Sequence, residues 1–221
     1  MSKPTAIEKL FTRDDIKRIE NAVHQAEKET SGEIVPYVVY TSDAYEHALW
    51  RAGATFGALG FFGFLVLHSV TELAWKPVVA AELGLATCAG AIIGALIAAD
   101  VPAVKRFFAG KKMLEQRVRQ RAMEAFLAEE VFKTRERTGI LIFLSLLEHK
   151  VLVLSDSGIN AKVQQADWEG IVATIVDGMR LGKPADALIR AIQQCGELLK
   201  KHGVARRADD ADELSDSLRT R

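Results

Sequence analysis

The chain has 221 residues with 29 basic and 29 acidic side chains, so its formal net charge is zero and no polyanionic partner, nucleic acid included, is expected. Its two cysteines, Cys88 and Cys195, lack CxxC spacing, and its five histidines (His24, His47, His68, His149, His202) lack H-E-x-x-H spacing. A disulfide framework, a zinc site and a His-based metalloenzyme are therefore not predicted.

The opening MSKPTAIEKLF has no seven-residue apolar core and no small-residue cleavage site, so no secretory signal is expected. Thr12 can cap a helix whose first turn carries Asp14 and Asp15, favourable at the positive end of the helix dipole. Ile16, Ile19, Val23 and Ala26 then recur at three and four residues, an apolar helical stripe that Ser31-Gly32 ends. Glu33–Tyr40 (EIVPYVVY) is β-branched and aromatic and reads as a strand. Because proline cannot donate to the ladder, Pro36 predicts an edge strand or a local bulge.

Two apolar stretches follow. Ala52–Val70 carries no formal charge, and Pro77–Ala99 carries only Glu82. A hydrocarbon core about 30 Å thick takes about 20 helical residues, so both are long enough to cross a bilayer, with Thr71–Lys76 as the turn. Buried core helices are the alternative, disfavoured because such helices rarely run uncharged for so long. The G-x-x-x-G steps Gly53/Gly57 and Gly90/Gly94 would let two backbones approach closely. Glu82 reads as an interfacial side chain rather than part of a transport pathway, which two spans alone could hardly line. Arg51 precedes the pair, and Lys105, Arg106, Lys111 and Lys112 follow it, against Lys76 alone in the turn. That excess places both termini and the polar sequence in the cytoplasm, on a two-span anchor in the inner, cytoplasmic membrane.

Beyond the spans, Leu114, Val118, Ala122 and Phe126 mark a long helix from about Val104 to Phe132, which Arg135–Thr138 breaks. Gly139–Leu147 (GILIFLSLL) and Lys150–Ser155 (KVLVLS) form a β-hairpin, with Glu148 and His149 in its turn. The continuous hydrophobicity of the first arm implies helices on both faces of the sheet. Two helices follow, one with Trp168, Ile171, Val172, Ile175, Val176 and Met179 on its apolar face, the other running from Ala185 to Leu199. The predicted organisation is thus residues 1–50 and 102–203 as one cytoplasmic domain, 51–101 as an inserted membrane hairpin, and 204–221 as a disordered polar tail. The strands before and after the hairpin can share a sheet only if the chain crosses the membrane an even number of times.

The segments LFTRDDIKRIENAVHQAEKETSGEIVPYVV, RTGILIFLSLLEHKVLVLSDSGINAKV and WEGIVATIVDGMRLGKPADALIRAIQQCGELL resemble the TPM domain. That module occurs in thylakoid proteins linked to photosystem II repair and in bacterial membrane-associated proteins. The resemblance covers Phe11–His202 outside the spans. It implies an α/β fold, a small mixed sheet between helical layers, here with the transmembrane hairpin inserted. Some members are described as acid phosphatases and some bind Ca²⁺. Where members often show Asp-Asn-Gly before the first hairpin arm, this chain has Arg137-Thr138-Gly139. Where many show Gly-Tyr-Gly-Leu-Glu, it has Leu154 to Asn160. The carboxylates a hard cation needs are largely missing, so no cofactor and no metal ligand are predicted.

In a β-hairpin the start of one arm lies beside the end of the other, which brings Arg137 and Thr138 to Asp156, Ser157 and Asn160. Thr41, Ser42 and Asp43 would join them if the first strand ran with the second arm. A phosphatase would use Asp156 or Asp43 as nucleophile or base and Arg137 as a phosphate clamp, with Thr138, Ser157 and Asn160 as ligand contacts. Polar strand ends and a plain Arg137–Asp156 pair are the alternative. The leading expectation is a non-enzymatic, membrane-tethered module that touches the bilayer through 52–70 and 77–99 and binds or organises a membrane protein. Phosphomonoester hydrolysis at the rim is the second; homo-oligomerisation is left open.

Overall fold

The computed structural model describes residues 6–70, 80–204, 206 and 213–220. The predicted turn Thr71–Lys76, the first residues of the second apolar stretch and part of the tail lie outside them. The chain divides into two compact units, one made of Met1–Ser42 and Arg117–Arg221, the other of Asp43–Gln116.

In the first unit, β1 (Glu33–Val39), β2 (Gly139–Ser145), β3 (Lys150–Ser155) and β4 (Arg219–Thr220) form one mixed sheet in the order β3-β2-β1-β4. β1 pairs parallel to β2 from Glu33↔Gly139 to Val39↔Ser145, and β2 pairs antiparallel to β3. Successive side chains of a strand point to opposite faces, and both faces are buried here. Ile34, Val38, Ile140, Ile142 and Leu144 pack with α2 (Arg13–Glu27), α8 (Gln165–Arg180) and α9 (Pro184–Lys201). Val35, Tyr37, Val39, Leu141 and Phe143 pack on the other side with Val118, Ala122 and Ala125 of α6 (Lys111–Ala128) and with Val131 of a 3₁₀ turn, Val131–Lys133. Tyr37 and Phe143, opposite each other in the register, stack with ring centroids 5.7 Å apart. The expected small mixed sheet between helical layers is the fold. The short helices α1 (Ala6–Leu10) and α7 (Ser157–Asn160) complete this unit.

Thr12 caps α2 as predicted: its Oγ1 accepts from Asp15 N at 3.1 Å, and Asp15 Oδ2 accepts from Thr12 N at 3.1 Å. The Thr12 hydroxyl, which donates to Asp15 Oδ2 at 2.7 Å, holds the Asp15 carboxyl below its ordinary range, with help from the Thr12 N–H and the Arg18 guanidinium.

Three expectations are corrected. Pro36 sits in an interior strand, not at an edge. β4 is only two residues long and its pairing begins at Tyr37, one residue past Pro36, so that neighbour asks no donor of the proline. The single helix predicted from Val104 to Phe132 is two, α5 (Pro102–Ala109) and α6, separated by Gly110 at φ 83°, a conformation glycine adopts without strain. The described part of the tail is ordered against the sheet. Glu33, a buried carboxylate, accepts from Glu213 N at 3.2 Å and Leu214 N at 3.3 Å. His24 Nδ1 lies 3.1 Å from Asp216 Oδ2, Arg219 Nε lies 3.2 Å from Glu129 Oε2, and Leu218 is buried in the core. The polar composition of 204–221 hides two leucines that have apolar surface to cover.

Cys195 is fully buried on α9, and burial pushes its thiol up to about 12 from an ordinary 9.0. The thiol is therefore neutral in the folded protein between these limits, whereas the unfolded chain releases its proton. Stability contributed by the neutral thiol is complete below pH 9.0 and is lost as pH rises from there toward 12. At neutral pH, iodoacetamide should leave Cys195 unmodified in the native protein and modify it on addition of denaturant, as peptide mass mapping would detect.

The second unit holds α3 (Glu46–Val70), α4 (Ala80–Asp100) and α5. At 1.5 Å per residue, α3 and α4 are each at least about 30 Å long, and both are long and apolar enough to cross a membrane. They pack on each other through glycine. A methyl group on Gly90 would lie 2.5 Å from the Phe56 carbonyl oxygen and 3.4 Å from Gly57 Cα. One on Gly57 would lie 3.3 Å from Ala91 Cβ. Both predicted G-x-x-x-G steps thus lie on the α3–α4 contact, where backbones meet.

Candidate functional site

The β2–β3 register brings Ile140 opposite Ser155, so Arg137 and Thr138 enter the hairpin where Asp156 leaves it. Arg137 takes a left-handed φ of 58°, and its Nε lies 2.8 Å from Asp156 Oδ2. The guanidinium carbon also lies 5.8 Å from the Phe132 ring centroid, within cation–π range. Asp156 is only 6% exposed, and its Oδ1 accepts from Ser157 N at 2.6 Å, capping α7. Backbone bonds tie the two segments as well: Asp156 N donates to Gly139 O at 3.0 Å and Gly158 N to Arg137 O at 3.0 Å. Gly158 is needed because a Cβ there would strike the carbonyl oxygens of Glu136 and Arg137.

The other predicted contacts are also engaged within the protein. Thr138 is buried, its Oγ1 donating to Ser31 O at 2.6 Å and its N donating to Thr134 Oγ1 at 2.8 Å. Asn160 Nδ2 donates to Ser155 O at 2.6 Å, and its Oδ1 accepts from Ser155 Oγ at 2.7 Å. Ser157 is exposed. Sequence reasoning correctly gathers Arg137, Thr138, Asp156, Ser157 and Asn160. What it gathers is a joint between a strand entrance and a helix cap, whose one carboxylate, Asp156, faces a guanidinium from this same chain. Asp156→Ala should cost about 1–2 kcal/mol, from the lost cap plus a half-exposed ion pair, read as a lower denaturation midpoint.

Asp43 does not follow the first strand to this rim. β1 runs with β2, so its end meets the end of β2 and the turn before β3, at the opposite edge from Asp156. Asp43 is the first residue of the second unit, and its Oδ1 accepts from Ala44 N at 2.8 Å. Thr41 and Ser42 instead meet Glu148, a 4% exposed carboxylate. Glu148 Oε1 accepts from Ser42 N at 2.8 Å and from Thr41 Oγ1 at 3.3 Å, while Oε2 accepts from Ser145 Oγ. The Ser42 and Ser145 hydroxyl oxygens are 2.7 Å apart. This network was missed from sequence. Its only signals are Ser145 interrupting an apolar run and an acid in a hairpin turn, and neither specifies a partner a hundred residues away.

Beside that network, Ser145, His149, Lys150, Val176, Met179 and Arg180 line a cavity of about 240 Å³ at the end of the sheet. Its lining combines apolar side chains with the basic side chains Lys150 and Arg180. His149, in the hairpin turn, is exposed with φ 53°. Among the described residues no group of three or more His, Cys, Asp or Glu side chains is placed to hold a metal ion.

Residues 104–198 match the family model described as the TPM domain. The fold of the chain is shared by the BA42 protein from the psychrophilic bacterium Bizionia argentinensis, solved by NMR, with a TM-score of 0.59 over all of both chains at 20% identity. No curated protein matches the chain.

Proposed function

We propose that this protein is a membrane-tethered TPM module that binds or organises a membrane protein. The observation that carries the tether is the uncovered surface of the second unit. Only 11% and 6% of the most apolar stretches of α3 and α4 are buried within the protein. Leu59, Phe62, Val66, Leu85, Ile92 and Leu96 are all more than half exposed. Apolar surface of that extent in water would drive aggregation, whereas a bilayer covers it at no cost. The excess of Arg and Lys at Arg51 and after α4 orients both termini toward the cytoplasm.

Binding is favoured over hydrolysis because the rim residues are held by one another. A nucleophilic Asp156 would have to leave both Arg137 and its helix cap. The cavity beside Glu148, lined by apolar side chains together with Lys150 and Arg180, is the better place to receive a partner's side chain. Gentle detergent extraction should yield the full chain with a stoichiometric membrane protein, and Met179→Trp, which fills the cavity, should release that partner without unfolding the chain. A lone monomer from the wild-type protein would overturn the partner. Hydrolysis of p-nitrophenyl phosphate that is lost in a folded Asp156→Ala variant would put the phosphatase in its place.

A further inference from the structure

The short helix after the second span is built for a lipid surface, and this reading rests on the tether proposed above. Pro102 starts α5 one residue after α4 ends, where its missing N–H costs nothing, and Gly110 turns the chain out of it. Ala109 is buried, and Arg51 Nη1 donates to Phe108 O at 3.1 Å, which fixes α5 beside the start of α3. The side turned away from that contact is apolar and open. Phe107 is 78% exposed, and Val101 and Ala103 are exposed as well. Trp50, on the first turns of α3, is 79% exposed. Two large aromatic side chains are therefore uncovered where one span begins and the other has ended, the position at which aromatic residues mark a membrane interface.

Charge supplies the second observation. From Val101 to Leu114 the chain carries Lys105, Arg106, Lys111 and Lys112 and no Asp or Glu. Over the whole chain acids and bases balance, so this one-sided stretch is local. We infer that α5 lies in the cytoplasmic interface of the bilayer, with Phe107 and Trp50 at the headgroup–acyl boundary, and gathers anionic phospholipids through the cations within it and just after it. A helix with an exposed aromatic anchor and basic neighbours binds through apolar burial plus attraction to anionic headgroups. The occupant of this surface is thus an anionic lipid, chosen by charge complementarity over a second copy of the chain, whose matching stretch would carry the same positive sign.

The test uses the full chain carrying Trp75→Phe, reconstituted in mixed vesicles of phosphatidylglycerol and phosphatidylcholine. Bromine is placed on the acyl chains of one lipid class at a time. Trp168 is buried in the core and gives a constant background, so quenching reports Trp50. Per brominated lipid, phosphatidylglycerol should quench at least about twofold more than phosphatidylcholine. Lys105→Gln/Lys111→Gln/Lys112→Gln should bring that ratio to one while the protein stays in the vesicles. Equal quenching by both lipids in the parent chain would overturn the inference and leave the tether standing. No quenching by either lipid, with the chain recovered outside the vesicles, would overturn both. Quenching that falls as protein per vesicle rises would assign the surface to a second copy instead.

Discussion

Replacing Glu148 with alanine should cost the first unit about 3 kcal/mol or more, with a fall in Tm of about 10 °C. The carboxylate accepts from Ser42 N, Thr41 Oγ1 and Ser145 Oγ, and it is almost wholly buried. Truncation removes a charged acceptor and leaves a backbone N–H and two hydroxyls inside the protein without it. Each hydrogen bond to a charged group contributes roughly 1.5–3 kcal/mol, and orphaned donors carry a desolvation penalty of their own. Glu148→Gln keeps the shape and one carbonyl oxygen, so it should recover more than half of the loss. Thermal unfolding of the two variants side by side separates the network from a mere packing role. If alanine and glutamine were equally mild, the carboxylate would hold nothing in place there.

Gly90→Leu should separate α3 from α4. A single methyl at Gly90 already falls 2.5 Å from a backbone oxygen that no rotamer change can move. Leucine would therefore push the helix axes apart, at a cost of about 1–3 kcal/mol in overpacking and with loss of the close contact itself. A disulfide provides the reporter. A Cβ at Gly57 would lie 3.3 Å from Ala91 Cβ, near the spacing a disulfide requires. In a Cys88→Ser background, Gly57→Cys/Ala91→Cys should cross-link readily on oxidation, and adding Gly90→Leu should slow this about tenfold. Gly84→Leu is the control, since a Cβ there meets nothing within 4 Å. Unchanged cross-linking in Gly90→Leu would mean that glycine is not what sets the helix spacing.

The sequence was most legible where one element explains itself. The apolar stripe of α2, its Thr12–Asp15 cap and the two arms of the β-hairpin follow from periodicity, cap chemistry and β-branching within a few residues of each other. The rim of Arg137 and Asp156 was legible for the same reason, because hairpin geometry relates positions close in sequence. The Glu148 network was not. It depends on β1 running parallel to β2, and nothing in EIVPYVVY states a direction or a neighbour; the proline in it pointed to the sheet edge instead. The ordered tail was hidden by averaging. A stretch that reads as polar in sum contains Leu214 and Leu218 at positions the sheet and helices can cover, and its backbone N–H groups find the buried Glu33 carboxylate. Sequence patterns report local preference well, but which distant polar group will complete a hydrogen bond is decided by topology.

The rim also shows why spatial clustering of reactive side chains is not itself a site. Asp156, Arg137 and Asn160 converge as a phosphate-binding constellation would, yet each is paired with a neighbour on the same chain, Asp156 and Arg137 as an ion pair and Asn160 through hydrogen bonds to Ser155. The cavity by Ser145 and Lys150 arises from elements brought together by the fold and keeps apolar lining that the protein itself leaves uncovered.

The tether is the claim on which the rest depends, and alkaline carbonate washing of membranes from cells expressing the full chain tests it most directly. The protein should stay in the pellet, float with the lipid in a density gradient and leave it only in detergent. Release into the supernatant as a monodisperse protein, without detergent, would contradict the tether and would mean that α3 and α4 find their cover in protein rather than in lipid.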